Sequence, residues 1–286
     1  YAIANEKKFS YADIKYPAGV ITVNIEKDKS QIALIHSLAD FISNQYKNEV
    51  ALYVSKCDSE DFYYHLKSIC PQVLDVDLEA YSKATAKGAF YSLRALQQFL
   101  NSSKSIDHKH IVVRGLDNVG SEISRLVDRN KANLTVCDGD NEKINNLYAS
   151  AYFGTCSLEE AHKVPSDVYI LCDKPDYLDK SITYDLKALA VIGVSSCQLT
   201  SNKAGYNMHT KKVLYIPDYV AGVGGVVMIA KQLEGNKKSL EKELDKVFTR
   251  TLSLLNHSSK LRKPPFIVAE QQIQNKAKTK VAEKSQ

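Results

Sequence analysis

Apolar positions along the 286 residues follow two alternating periods. Ile21 to Ile25 alternates as a half-buried strand does, and residues 30–46 then place Ile32, Ile35, Leu38, Ala39 and Ile42 on one helical face. Val50 to Val54 reads as a second strand, 59–69 as a helix stopped by Cys70-Pro71, and Val73 to Val76 as a short strand. Residues 84–101 return to the helical period, with Ala86, Ala89, Leu93, Leu96 and Leu100 at steps of three and four. Beyond this helix come five apolar, β-branched runs: His110–Arg114, Leu134–Asp138, Val168–Cys172, Leu189–Val194 and Val213–Tyr215. Such runs suit parallel strands covered on both faces. Helices are expected near 224–234 and 238–257, with a last one after Pro264-Pro265.

This order predicts an α/β protein: a doubly wound, Rossmann-like parallel sheet domain plus a smaller N-terminal α/β domain. Right-handed crossovers would put the ligand crevice at the carboxyl ends of the strands.

Residues 111–138 carry the sharpest motif. A strand, a glycine turn, a helix and a second strand ending in an acid have the layout of a dinucleotide-binding βαβ unit. Gly115 would make the tight turn, and Gly120 would let the helix pack closely on the sheet. Asp138, 18 residues beyond Gly120, would accept hydrogen bonds from both ribose hydroxyls, which favours NAD over NADP. An ordinary strand-end turn is the plainer role for Asp138. The middle glycine of G-x-G-x-x-G is Asp117. Its side chain takes space that a pyrophosphate needs, and its charge faces two phosphates. At about 5 Å and an effective dielectric near 20, one such pair costs roughly 3 kcal/mol. Aspartate is also a good helix N-cap, so Asp117 can fill the anion site itself. NAD binding is therefore expected to be weakened or lost.

Composition narrows the setting. An apolar fraction of 44% and a charged fraction of 25% belong to a globular protein. The net charge of +5 is mild, and Lys276, Lys278, Lys280 and Lys284 in the tail supply much of it. No basic run interleaved with aromatics points to nucleic acid, and no apolar stretch is long enough for a membrane span. Six cysteines, none in C-x-x-C spacing, read as free thiols of a reducing, cytoplasmic compartment rather than disulfides or a zinc site. His108 and His110 read as loop residues, not metal ligands. The chain does not begin with Met, so the numbering is expected to start inside a longer chain.

From residue 84 onward the sequence resembles the Glu/Leu/Phe/Val dehydrogenase family, its leucine dehydrogenase branch most closely. The resemblance rests on Ala84-Thr85-Ala86-x-Gly88, Gly115-Leu116-x-Asn118-Val119-Gly120, Val136-x-Asp138 and Gln198-Leu199. It continues through YIPDYVAGVGGVVMIAKQLEG from Tyr215 to Gly235. It implies NAD-linked oxidative deamination of an amino acid to a 2-oxo acid, in a cleft between two domains. By the same resemblance, Thr85, Gly115, Asp117, Asn118, Val119, Gly120, Asp138, Cys172, Cys197 and Gly222 occupy cofactor-binding positions. The expected division is a truncated substrate or catalytic-type domain over 1–83, a linking helix over 84–103, the dinucleotide-binding domain over 104–235, and C-terminal helices with a basic tail over 236–286.

The first 80 residues resemble the family segment that carries two lysines around a glycine-rich stretch. Lys8 falls on the lysine that holds the substrate carboxylate, and Gly19 on the last glycine. The catalytic lysine position is Val20. The catalytic aspartate position falls on Ser55, with Asp58 the candidate if the register shifts. Deamination needs a lysine of lowered pKa and a carboxylate to move protons; valine does neither, and serine lacks basicity without a partner base. The asparagines expected near the nicotinamide are Cys197 and Gly222. All five departures fall in the functional crevice, while the helical faces and strand patterns persist. The family's earliest strands, which build its subunit contact, are not in these residues.

Three functions fit this pattern: an impaired homologue acting as a binding or interaction protein, an active dehydrogenase with a rearranged site using Lys7, Lys8 or Lys174 with Asp58, and a subunit docked on an active paralogue. A small-molecule ligand and a homo-oligomer or paralogue partner are compatible with all three.

Overall fold

The computed structural model describes residues 2–14, 31–46, 60–235 and 239–284. The expected strands at Ile21–Ile25 and Val50–Val54 lie outside them, as do Gly19, Val20, Ser55 and Asp58. The chain divides into two compact units, one of Ile21–Leu78 and one of Tyr1–Val20 with Glu79–Gln286.

In the smaller unit, α2 (Gln31–Tyr46) follows α1 (Ala2–Tyr11) in the chain and packs on α3 (Glu60–Ile69). Ile35, Ala39 and Ile42 meet Leu66, Cys70 and Val73 in one apolar cluster. Ile32, expected on that face, is exposed; the ten residues of α3 cannot cover all sixteen of α2. The expected strand at Val73–Val76 is reduced to a single bridge residue at Val73, behind a turn closed by its N–H on the Cys70 carbonyl at 3.0 Å.

The larger unit is built on α4 (Leu78–Asn101) and a six-stranded parallel sheet. The strands are β1 (His110–Arg114), β2 (Asn133–Cys137), β3 (Gly154–Thr155), β4 (Ser166–Leu171), β5 (Ala188–Gly193) and β6 (Leu214–Ile216), in the order β3-β2-β1-β4-β5-β6. Five strands lie within two residues of the sequence expectation, and β3 is new. The order reverses between β1 and β4, and a doubly wound sheet opens its crevice at that point. Helices α5 (Asn118–Arg129), α6 (Asn141–Tyr148), α7 (Lys180–Asp185), α8 (Asn202–Thr210), α9 (Asp218–Ala221) and α10 (Gly224–Leu233) connect or follow the strands, before α11 (Leu240–Leu261) and α12 (Pro265–Lys284).

Ala86, Ala89, Leu93 and Leu96 of α4 are buried in the same core as Ile111, Val113, Ile123 and Ile170. Thus α4 is part of the larger unit, and α1 packs in that unit too, against α9 and α12. Leu100 is exposed, contrary to its place in the apolar series, because it lies in the last turn, where the chain passes into the exposed residues Asn101–Ser105. Val112, Tyr169, Leu171 and Val191 build the opposite face with Leu178 and Phe266.

Candidate functional site

The turn from β1 to α5 lies at the switch point. Gly115 has φ of +89°, and a Cβ there would stand 2.6 Å from Cβ of Asp173. Gly120 is tighter: a Cβ would sit 1.9 Å from the Gly115 carbonyl oxygen. Both glycines are therefore required by backbone geometry. Gly115 N–H donates to the Cys137 carbonyl at 2.8 Å, tying the turn to β2.

Asp117 is the N-cap of α5, its Oδ1 accepting the Gly120 N–H at 2.8 Å. Enclosure by the surrounding chain pushes its carboxyl above the ordinary carboxylate range, while the N–H groups of Gly120 and Val119 pull it down. Part of the residue is open to solvent. Asp138 Oδ2 accepts the Leu116 N–H at 2.6 Å and Oδ1 the Asp140 N–H at 2.9 Å. Lys143 Nζ stands 3.9 Å from Oδ1. Asn118 is exposed on the first turn of α5, and Val119 packs against the core.

Below the turn, Arg114 ends β1 on a buried ion pair with Asp173, its guanidinium 4.1 Å from the centre of the Tyr177 ring. Cys172 is buried, and burial pushes its thiol well above the ordinary value. Its carbonyl accepts the Ser195 hydroxyl at 2.6 Å.

The other end of the crevice lies where β5 and β6 finish. Helix α1 brings Lys8 here, 7% exposed, with Nζ 3.0 Å from Ser196 Oγ and 4.0 Å from Asp218 Oδ2. Burial lowers the Lys8 pKa against the opposing pull of Asp218, and burial raises the Asp218 carboxyl against the pull of Lys8. Asp218 Oδ2 and Gln198 Oε1 are buried without a hydrogen bond among the described residues. Gln198 Nε2 donates to the Leu171 carbonyl at 2.9 Å. Cys197 holds φ of +60°, a left-handed conformation that asparagine tolerates better than cysteine. Gly222 has no room for a side chain: a Cβ would lie 2.5 Å from the Val194 carbonyl oxygen.

Thr85 is set against the start of α10: its hydroxyl donates to the Tyr81 carbonyl at 2.9 Å, and a Cβ on Gly225 would meet Thr85 Oγ1 at 2.6 Å. Lys7 pairs with Glu270 at 2.5 Å, and Lys174 lies over the Tyr177 ring at 5.9 Å. Sequence reasoning missed Arg114, Asp173, Ser196 and Asp218. A charge ending an otherwise apolar strand was the available signal for Arg114. No signal connected Lys8 to Ser196. Among the described residues no cluster of histidine, cysteine or acid could hold a metal ion, and no helix is long and apolar enough to cross a membrane.

No family model matches the chain. It is 25% identical to the phenylalanine dehydrogenase of Lysinibacillus sphaericus, over 88% of this chain and 69% of that protein. It is 29% identical to the phenylalanine dehydrogenase of Caldalkalibacillus thermarum, over 55% and 44%, and 24% identical to the leucine dehydrogenase of Bacillus subtilis, over 66% and 52%. The chain is similar in sequence and in fold to amino-acid dehydrogenases of the Glu/Leu/Phe/Val family. The chain spans between 44% and 69% of the length of these curated relatives. Its fold matches L-tryptophan dehydrogenase from Nostoc punctiforme with a TM-score of 0.81 at 19% identity, over 97% of this chain and 81% of that one. It also matches the hetero-hexameric glutamate dehydrogenase from Thermus thermophilus, with a TM-score of 0.73 at 15% identity, over 95% and 74%.

Proposed function

We propose that this chain keeps the crevice of an amino-acid dehydrogenase but uses it to bind a small molecule without ordinary NAD-linked deamination. The observation that carries this is the Asp117 carboxylate, seated on the Gly120 N–H at 2.8 Å. A helix N-terminus attracts the phosphates of a dinucleotide through its free N–H groups. Here the chain's own acid takes that donor and sets a negative charge where a diphosphate would rest, so the residues present do not fit NAD well. The adenosine side fits better. Each Asp138 oxygen has one backbone partner and retains a lone pair for a hydroxyl. Val20, at the catalytic lysine position of the resemblance, removes the amine that deamination needs.

The test is turnover. Purified protein offered leucine, valine, phenylalanine, tryptophan or glutamate with NAD should give no nicotinamide absorbance change above the enzyme-free rate. Turnover of any of them at rates of order 1 per second, the low end of ordinary enzymes, would overturn the reading.

A second reading is favoured by Lys8. In a dehydrogenase with a rearranged site, Lys8 would supply the ammonium that Val20 cannot, with Asp218 as the acid beside it. Its lowered pKa, 3.0 Å contact with Ser196 and 4.0 Å separation from Asp218 support that role. Turnover that vanished in Lys8→Met but survived in Lys7→Met would select it. The hetero-hexameric assembly named for the Thermus neighbour makes a paralogue subunit a natural partner for either form.

A further inference from the structure

Three strands end in one row on the same face of the sheet. Arg114 on β1 is paired in register with Cys137 on β2. Val136 is paired with Thr155 on β3, and the Cys156 N–H donates to the Val136 carbonyl at 3.2 Å. The register thus runs one residue further, setting Cys156 beside Cys137. Register partners on neighbouring strands point to the same face, and their backbones lie about 4.8 Å apart. That spacing falls inside the Cα separation a disulfide spans, roughly 4.4–6.8 Å.

The two thiols differ in ways that assign roles. Cys137 is fully buried and its S–H donates to the Val113 carbonyl at 3.8 Å; the interaction of the two thiols raises Cys137 and lowers Cys156. Cys156 is partly exposed and lines a cavity of about 450 Å³ with Asp138, Asn141, Tyr148, Thr155 and Glu159. The Arg114 guanidinium further along the row favours the thiolate of Cys156, although Asp173 takes part of that charge. A thiolate of lowered pKa, open to solvent and next to a second thiol, is the arrangement of a reactive cysteine with its resolving partner. With no third ligand among the described residues, a metal does not account for the pair.

We infer that Cys156 and Cys137 form a modification site for small disulfides, with Cys156 as the attacking thiol and Cys137 as the resolving one. The Cys156 thiolate attacks one sulfur of the small disulfide; that S–S bond breaks and one thiolate leaves, taking up the proton that Cys156 gave. Cys137 then loses its proton and attacks Sγ of Cys156 in the mixed disulfide. The second small thiolate leaves and is protonated. The protein loses two electrons and two protons, and the small disulfide becomes two thiols. The new bond would tie β2 to β3 next to Asp138.

The full chain is incubated with glutathione disulfide, its remaining free thiols are alkylated under denaturing conditions, and the digest is read by mass spectrometry. The expected result is a cross-linked peptide pair joining Cys137 to Cys156, reversed by dithiothreitol, while Cys70 and Cys172 stay alkylated. In Cys137→Ala, Cys156 should instead hold a lasting mixed disulfide with glutathione. Wild-type protein that alkylates fully at both positions would overturn the inference. So would a wild-type mixed disulfide at Cys156 that never resolves, or a cross-link from Cys156 to any other cysteine.

Discussion

The two ends of the crevice contrast. At the β1–α5 turn the backbone keeps every demand of a nucleotide-binding motif: Gly115 at φ +89°, Gly120 against the Gly115 carbonyl, and Asp138 at the end of the adjacent strand. Only one side chain is discordant, and Asp117 caps its own helix with it. At the β5–β6 end residue 197 holds a left-handed backbone, and the two asparagines implied there by the resemblance are Cys197 and Gly222. Beside them Lys8, on a position that matches the resemblance, faces the buried Asp218. Backbone geometry is constrained by packing, so it persists when the chemistry changes. Side chains in a crevice touch ligand more than core, so they are free to move to another use.

The largest effect that would break this contrast is steric. Gly120→Ala forces a methyl group to within 1.9 Å of a backbone oxygen, and α5 cannot retreat without opening the core around Ile123 and Val127. We expect a loss of about 3 kcal/mol or more, read as a lower urea midpoint or as insoluble protein. A change under about 0.5 kcal/mol, typical of an unconstrained surface site, would mean that the turn is not held by packing.

Next in size is the buried pair at the far end. Lys8→Met leaves Asp218 buried without its cation, and we expect a cost of about 3 kcal/mol. The pH dependence sharpens this. The folded pKa of Lys8 lies below 10.5 because burial disfavours its charge. Between that lowered value and 10.5 the unfolded chain binds more protons than the folded one. The contribution of Lys8 to stability therefore rises with pH across that window, as the cost of burying the ammonium is relieved. Urea midpoints measured from neutral pH to 10.5 should show that rise in the wild type relative to Lys8→Met. Parallel curves would mean that Lys8 is exposed to water and not seated on Ser196.

A smaller effect belongs to Tyr81, which packs against Gly225, where a Cβ would meet its ring at 2.3 Å. Burial raises its hydroxyl from 10.0 to about 12. Its contribution is intact below pH 10 and is lost as pH rises from 10 through about 12, because the unfolded tyrosine ionises first. The span corresponds to roughly 2–3 kcal/mol. Tyr81→Phe should remove that part of the alkaline fall seen by circular dichroism; an unchanged fall would place the ring in solvent.

Much of the larger unit was legible in the sequence because its strands are long apolar runs and its turn residues are glycines. The bounds of β1 follow from five residues, and the capping role of Asp117 follows from one. Other features had no local signal. β3 is two residues long, too short to show a period. Helix α1 was not foreseen, and its Lys8 meets a serine 188 positions away. Arg114 and Asp173 pair across 59 positions. Ile32 and Leu100 fit an apolar series and are still exposed, since periodicity gives the face of a helix but not how far its partner extends.

The central claim is that Asp117 takes the seat of a diphosphate, and calorimetric titration of NAD into the wild type beside Asp117→Gly tests it most directly. Glycine at the N-cap costs only a few tenths of a kcal/mol, so both proteins should be folded. Removing the opposed charge should tighten NAD binding by about a hundredfold, the equivalent of roughly 3 kcal/mol. Equal affinity in the two proteins would place the carboxylate away from the phosphates and contradict the account.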